Sequence, residues 1–135
     1  CNVTGLTTGA AYTFSVVARN AVGTGPASEV SPVARPLAGP GVPGAVKAAR
    51  RGDTAAVVHW KKPVSTGGLA ITKYVVTASP GGRTCRVKAL SCTISGLKRG
   101  ETYAFRVQAF NSKGAGVPAV SNRVTLPAPP VMESL

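Results

Sequence analysis

One nine-residue stretch, present twice, limits what this chain can fold into. Tyr103-Ala-Phe-Arg-Val-Gln-Ala-Phe-Asn111 places Tyr103, Phe105, Val107 and Ala109 on alternate positions, with Ala104, Arg106 and Gln108 between them. Side chains alternate faces along an extended chain, so this period of two predicts a strand with one buried and one solvated face. Tyr12-Thr-Phe-Ser-Val-Val-Ala-Arg-Asn20 repeats the pattern 91 residues earlier. At that offset residues 1–36 match residues 92–127 without a gap. Thirteen positions are identical, among them Cys1/Cys92, Leu6/Leu97, Gly9/Gly100, Tyr12/Tyr103, Phe14/Phe105, Asn20/Asn111, Val33/Val124 and Pro36/Pro127. The period is too long for a solenoid, whose units run to about 20–50 residues. It predicts a tandem array of small domains, the first present only as its last three strands in residues 1–36.

Between the two copies, residues 36–44 read Pro-Leu-Ala-Gly-Pro-Gly-Val-Pro-Gly. Proline here excludes a helix or a central strand, so residues 37–44 are expected to be a linker. Residues 45–127 then divide into seven short strands: 45–49, 54–61, 71–78, 83–88, 92–95, 102–111 and 119–126. Turn residues separate them, as at Arg51-Gly52-Asp53 and Ser79-Pro80-Gly81-Gly82. No segment carries a helical period. The expected fold is all-β, a seven-stranded antiparallel sandwich preceded by the last three strands of a second copy. Residues 128–135 are read as a linker or the start of a further repeat. No apolar run reaches the ~18 residues of a spanning helix. A chain beginning at Cys1 without a secretory signal is read as a fragment or processed piece.

Taken together, Trp60 on the second strand, Leu97-x-x-Gly100-x-x-Tyr103-x-Phe105-x-Val107-x-Ala109-x-Asn111, then Gly114-x-Gly116 and Pro127, resemble the fibronectin type III domain. The resemblance covers residues 40–127 in full and residues 1–36 as the end of a preceding domain. It implies an immunoglobulin-like sandwich in which Leu97 and Tyr103 form the corner between sheets, the tyrosine hydroxyl bonding back to nearby backbone. Leu6 and Tyr12 would repeat that corner. Trp60 would fill the core, with Tyr74, Phe105 and Phe14 as further core residues. The Cys85/Cys92 spacing and the Gly/Ala/Thr-rich style resemble secreted versions from high-GC Gram-positive bacteria. Such modules accompany glycoside hydrolases, which makes an accessory region of a hydrolase one alternative.

Cys85 and Cys92 lie on short strands either side of a tight connection. A disulfide here implies an oxidising compartment, secreted or on the cell surface; the alternative is two buried thiols. Cys1 stands where Cys92 stands, which puts its partner outside residues 1–36; the other reading is the lipidated residue of a lipoprotein. Arg51-Gly52-Asp53 spells an integrin-binding tripeptide, but it falls on the first strand-to-strand turn, where Gly-Asp is ordinary turn chemistry. Gly39–Gly44 has the letters of a dinucleotide fingerprint, yet its prolines and lack of a following helix exclude it. Asn2-Val3-Thr4 is a glycosylation sequon. His59 is the only histidine and alternates away from Val58 and Trp60, toward solvent. No nucleophile has a base at motif spacing, no carboxylates pair, and one histidine with two local cysteines cannot close a zinc site. The expectation is no enzyme, no cofactor and no metal.

Charge is the remaining feature. Residues 37–127 carry fourteen Lys/Arg against Asp53 and Glu101, whereas residues 1–36 carry Arg19 and Arg35 against Glu29. Outward positions on the main sheet are expected to gather Lys73, Arg86, Lys88, Arg106 and Phe110, with Arg123 at the border. Such a face grips a polyanion by charge and stacking: teichoic acid, acidic polysaccharide, or nucleic acid without sequence recognition. The competing reading is a solvated surface. The leading function is a non-catalytic spacer or adhesion module whose partners are neighbouring domains of its own polypeptide. Residues 1–36, with three strands only, are expected to leave Val3, Tyr12, Phe14 and Val16 uncovered.

Overall fold

The computed structural model describes residues 1–131. Among the described residues nine strands form: β1 (Gly44–Arg51), β2 (Ala55–Lys61), β3 (Lys73–Ser79), β4 (Thr84–Val87), β5 (Ser91–Ile94), β6 (Thr102–Asn111), β7 (Gly114–Ala115), β8 (Ala119–Val120) and β9 (Val124–Thr125). No helix forms among the described residues. One sheet runs β1-β2-β5; the other runs β4-β3-β6-β7, with β8 and β9 also pairing with β6. Every pairing is antiparallel.

The two sheets close on the residues that the alternation selects. Ala56, Val58 and Trp60 of β2 and Cys92 and Ile94 of β5 face Tyr74, Val76 and Ala78 of β3 and Tyr103, Phe105, Val107 and Ala109 of β6. Removing each large apolar side chain from water contributes about 1.5–3 kcal/mol. Phe105, Val58, Val76 and Val107 are fully buried. The Trp60 and Tyr74 rings meet across the core at 5.4 Å, tilted by 55°, within the favoured range for aromatic pairs. The corner forms as the resemblance implies: Leu97 is buried, and the Lys98 N–H donates to Tyr103 Oη at 2.9 Å.

The strand count differs from the seven expected. The seventh strand is broken, with β8 and β9 separated by Ser121–Arg123. Side chains cause the break. Ser121 Oγ accepts the Phe105 N–H at 3.0 Å. Asn122 leaves the sheet to pair with β1, accepting the Ala48 N–H at 2.8 Å and donating to the Ala48 carbonyl at 2.9 Å. The hairpin closed by β7, expected as loop, adds the remaining segment. Also, β4 and β5 do not pair with each other. β4 lies beside β3 and β5 beside β2, so the short connection crosses between sheets.

Residues 1–36 hold only two isolated bridges, Tyr12↔Ala34 and Arg19↔Thr24. Leu6, Tyr12 and Phe14, expected as core, are only half-buried, and Val16 is 72% exposed. Among the described residues no strand pairs with that segment as β3 pairs with β6, whereas in the sandwich Phe105 and Val107 are fully buried between the two sheets. Local geometry nevertheless repeats. The Thr7 N–H donates to Tyr12 Oη at 2.9 Å, as Lys98 does to Tyr103. Gly9 N–H reaches the Pro36 carbonyl at 2.8 Å and Gly100 N–H the Pro127 carbonyl at 3.0 Å.

Candidate functional site

The outward face of the β4-β3-β6 sheet collects the cations. Register sets the rows: Lys73 lies opposite Phe110, Val75 opposite both Arg86 and Gln108, and Thr77 opposite Arg106 and Thr84. Arg106 lies opposite Val120 of β8. Lys88 follows directly on β4, past the last paired position Val87 opposite Tyr74, and lines a surface hollow with Lys62, Ile71 and Tyr74. Lys73 Nζ lies 4.9 Å from the centroid of the Phe110 ring, within cation–π reach. Arg86, Lys88 and Arg106 are exposed, whereas Lys73 and Phe110 are half-buried. The anticipated exposed aromatic is therefore partly covered by its neighbouring lysine.

Carboxylates lie elsewhere. Asp53 Oδ2 pairs with Arg99 Nη1 at 3.3 Å and Glu101 Oε1 with Lys98 Nζ at 3.7 Å. Both acidic side chains of residues 37–127 are thus engaged at the Lys98–Glu101 corner, and no salt bridge reaches Lys73, Arg86, Lys88 or Arg106 among the described residues. Four positive groups on one face repel one another, a cost that a bound polyanion or salt relieves.

The other candidates separate. Cys85 and Cys92 form a disulfide with Cα atoms 6.6 Å apart. It joins the outer strand β4 of one sheet to the outer strand β5 of the other, so it staples the sandwich along one side. Cys1 is unpaired and exposed. Arg51, Gly52 and Asp53 are exposed on the β1–β2 turn, where Gly52 takes φ +68° and Asp53 is held by Arg99. His59 faces solvent. Among the described residues, no group of His, Cys, Asp and Glu side chains gathers at metal-binding distance. Asn111 entered the sequence reading only as an identity of the repeat and a letter of the family motif, with no role given to it. It is buried at the end of β6, its Nδ2 donating to the Ala38 and Thr66 carbonyls at 2.7 and 2.9 Å.

The fibronectin type III family model matches residues 41–125. This chain belongs to the fibronectin type III family. Fly titin is 32% identical over 125 residues, covering 85% of this chain and 1% of titin. Human myomesin-2 is 32% identical over 135 residues, covering 92% of this chain and 9% of that protein. The crystal structure of domains d3–d4 of the rat CD45 extracellular region superposes with a TM-score of 0.66 at 21% identity, covering 91% of this chain and 67% of that one. The last likeness shows the shared fold alone. The chain spans a small fraction of the length of the curated relatives it matches. The matched relatives are large multidomain proteins of which this family's domain is a small part.

Proposed function

We propose that this chain is a non-catalytic spacer and adhesion segment of a larger protein, with residues 1–36 the tail of one fibronectin type III domain and residues 45–127 the next. The observation that carries this is the joint. The chain leaves the Gly9 corner at Pro36 and continues without slack onto the second unit, where Ala38 N–H donates to Gly67 O at 3.0 Å. Its partners are neighbouring domains of the same polypeptide. The disulfide supports placement in an oxidising, extracellular setting. The named relatives come from fly, human and rat, so a bacterial source rests on sequence style alone. The test is retention of the 135-residue chain on teichoic acid, acidic and neutral polysaccharide, and DNA at low and physiological salt. A spacer is retained by none at physiological salt.

The unpaired cations favour a second reading, a polyanion-binding face of Lys73, Arg86, Lys88, Arg106 and Phe110. At physiological ionic strength the screening length is about 8 Å, so only a ligand in contact with several of these groups stays bound. If the reading holds, an acidic polymer is retained at that salt, and the pair Lys73→Glu and Arg106→Glu abolishes retention. Unchanged retention by the double variant removes this face from consideration.

A further inference from the structure

The two ends of the sandwich are not equivalent. At the leading end, residues 38–41 lie in a groove of backbone. Ala38 N–H donates to Gly67 O at 3.0 Å, Gly41 N–H to Ser65 O at 2.9 Å, and Val117 N–H to Pro40 O at 3.2 Å. Asn111 closes the groove by donating to the Ala38 carbonyl, while its own Oδ1 accepts the Lys113 N–H at 2.9 Å. Pro40 is fully buried.

Glycine makes the approach possible. A Cβ on Gly67 would overlap the Ala38 carbonyl oxygen, one on Gly116 would overlap the Pro40 oxygen, and one on Gly39 would stand 2.6 Å from the Ala115 oxygen. Beside them, the site of a Gly68 Cβ lies 3.6 Å from Gly9 Cα and 2.9 Å from Leu37 Cδ2. A side chain at Gly68 would meet the Gly9 corner, so the β2–β3 loop lies close to the N-terminal segment.

At the trailing end the shared bonds Gly9–Pro36 and Gly100–Pro127 fix the alignment. Pro129 then stands where Ala38 stands, and Pro130 where Gly39 stands. Pro129 has no N–H to give to a Gly67 counterpart. Pro130 carries a Cβ and ring where Gly39 abuts a carbonyl. Toward their own unit, the Ala128 carbonyl accepts from Arg99 Nη2 at 3.5 Å, and the site of a Gly100 Cβ is 3.8 Å from Ala128 Cα.

We infer that the groove of Gly67, Gly116 and Asn111 is an interaction surface for the Pro36–Gly41 segment together with the Gly9 corner, and that residues 128–131 cannot occupy a like surface in the same register. The second unit is held stiffly to the preceding unit, and its connection to the chain beyond Pro127 is of a different kind. This deepens the spacer reading and rests on it for its purpose, but not for its test.

The test is amide hydrogen exchange by NMR on the 135-residue chain. Ala38, Gly41 and Val117 are expected to exchange at least about tenfold more slowly than an unstructured peptide. Ala38→Pro writes the trailing chemistry into the leading joint from outside the strands. Loss of one hydrogen bond in a cooperative groove is expected to speed exchange at Gly41 and Val117 roughly five- to tenfold, with Val107 in the core unchanged. Unstructured rates at Ala38 and Gly41, or no effect of Ala38→Pro, overturns the inference. Failure of the spacer reading is seen separately, as retention on a polymer at physiological salt.

Discussion

Replacing Tyr103 by Phe removes one oxygen and nothing else. The ring is buried beside Phe105, with centroids 6.4 Å apart, so the packing survives. What is lost is the acceptor for the Lys98 N–H at 2.9 Å. A net hydrogen bond contributes about 0.5–1.5 kcal/mol, and a buried donor left unpaired costs about 1–3 kcal/mol. The Lys98 residue itself is exposed, so water reaches part of the corner and the lower figures apply. The expected destabilisation is about 1–2 kcal/mol. In a domain of this size that lowers the thermal midpoint by about 4–8 °C per kcal/mol. The assay is urea unfolding of the 135-residue chain followed by Trp60 fluorescence, with an unchanged m-value because the exposed surface is the same. Tyr12→Phe is the internal control. It removes the same bond, Thr7 N–H to Tyr12 Oη at 2.9 Å, from a segment that Trp60 does not report. Tyr103→Phe within about 0.3 kcal/mol of the parent, or a Tyr12→Phe effect of equal size, refutes the argument that the corner holds the sandwich locally.

Three further outcomes rest on particular contacts. Replacing Cys85 and Cys92 by alanine opens a short loop between the two sheets and is expected to cost about 2–3 kcal/mol by chain entropy; equal urea midpoints with and without reductant contradict it. Burial raises the Tyr74 phenol above its ordinary 10.0. Its stabilising effect is therefore complete below that pH and is lost as pH rises toward the folded-state value, because only the unfolded tyrosine ionises there. Urea midpoints at pH 9 and 11 should differ less in Tyr74→Phe than in the parent, and an equal difference removes Tyr74 as a source of alkaline sensitivity. On the cationic face, the Lys73→Glu and Arg106→Glu pair should lower the unfolding midpoint by no more than the Lys73–Phe110 contact contributes, about 0.5–1 kcal/mol, since among the described residues neither side chain has an ionic partner to lose and relief of like-charge repulsion acts the other way.

Alternation is legible because burial acts on every second side chain. It marked Trp60, Tyr74, Phe105 and their neighbours without help from the fold. The gapless repeat is a weaker guide. It holds as far as Val16 with Ser28, which corresponds to Val107 with Ala119. It then slips: Phe14 meets Ser31, whereas Phe105 meets Ser121, one position out of step. The identical letters Val33 and Val124 are consequently not equivalents; Ala34 pairs with Tyr12, and Val124 with Tyr103. A bulge shifts hydrogen bonds without altering composition, so identities pass over it. The break at Ser121–Arg123 was hidden for a related reason. Two short polar side chains take over backbone bonds there, and no periodicity records that. Sequence also told which side of the sheet Arg106 and Lys73 occupy. It could not tell that Asp53 and Glu101 are tied to Arg99 and Lys98, because that depends on a corner brought together by the fold.

The stretch 36–44 shows the same limit, and truncation exposes it. Proline and glycine exclude regular structure, but the groove that receives Ala38–Gly41 is made of backbone from Ser65–Gly67 and Gly116–Val117. Removing residues 1–36 leaves that groove filled and should leave the urea transition of the sandwich in place. Removing residues 1–41 should weaken it. Ala38, Gly41 and Pro40 then vanish as partners, and buried Asn111 loses the Ala38 carbonyl as an acceptor. Each bond contributes about 0.5–1.5 kcal/mol and the orphaned amide costs about 1–3 kcal/mol. Releasing the ordered residues returns backbone entropy, so the net loss is smaller than the sum of these terms, and its largest single part is the Asn111 amide left without the Ala38 carbonyl. Asn111→Ala in the shorter chain separates the terms: with no amide to leave unpaired, the further loss on removing residues 37–41 should shrink. If both truncations unfold at the parent midpoint, Ala38–Gly41 is a tether and the sandwich ends at β1. If removal of residues 1–36 alone abolishes the transition, the N-terminal segment belongs to the folding unit itself.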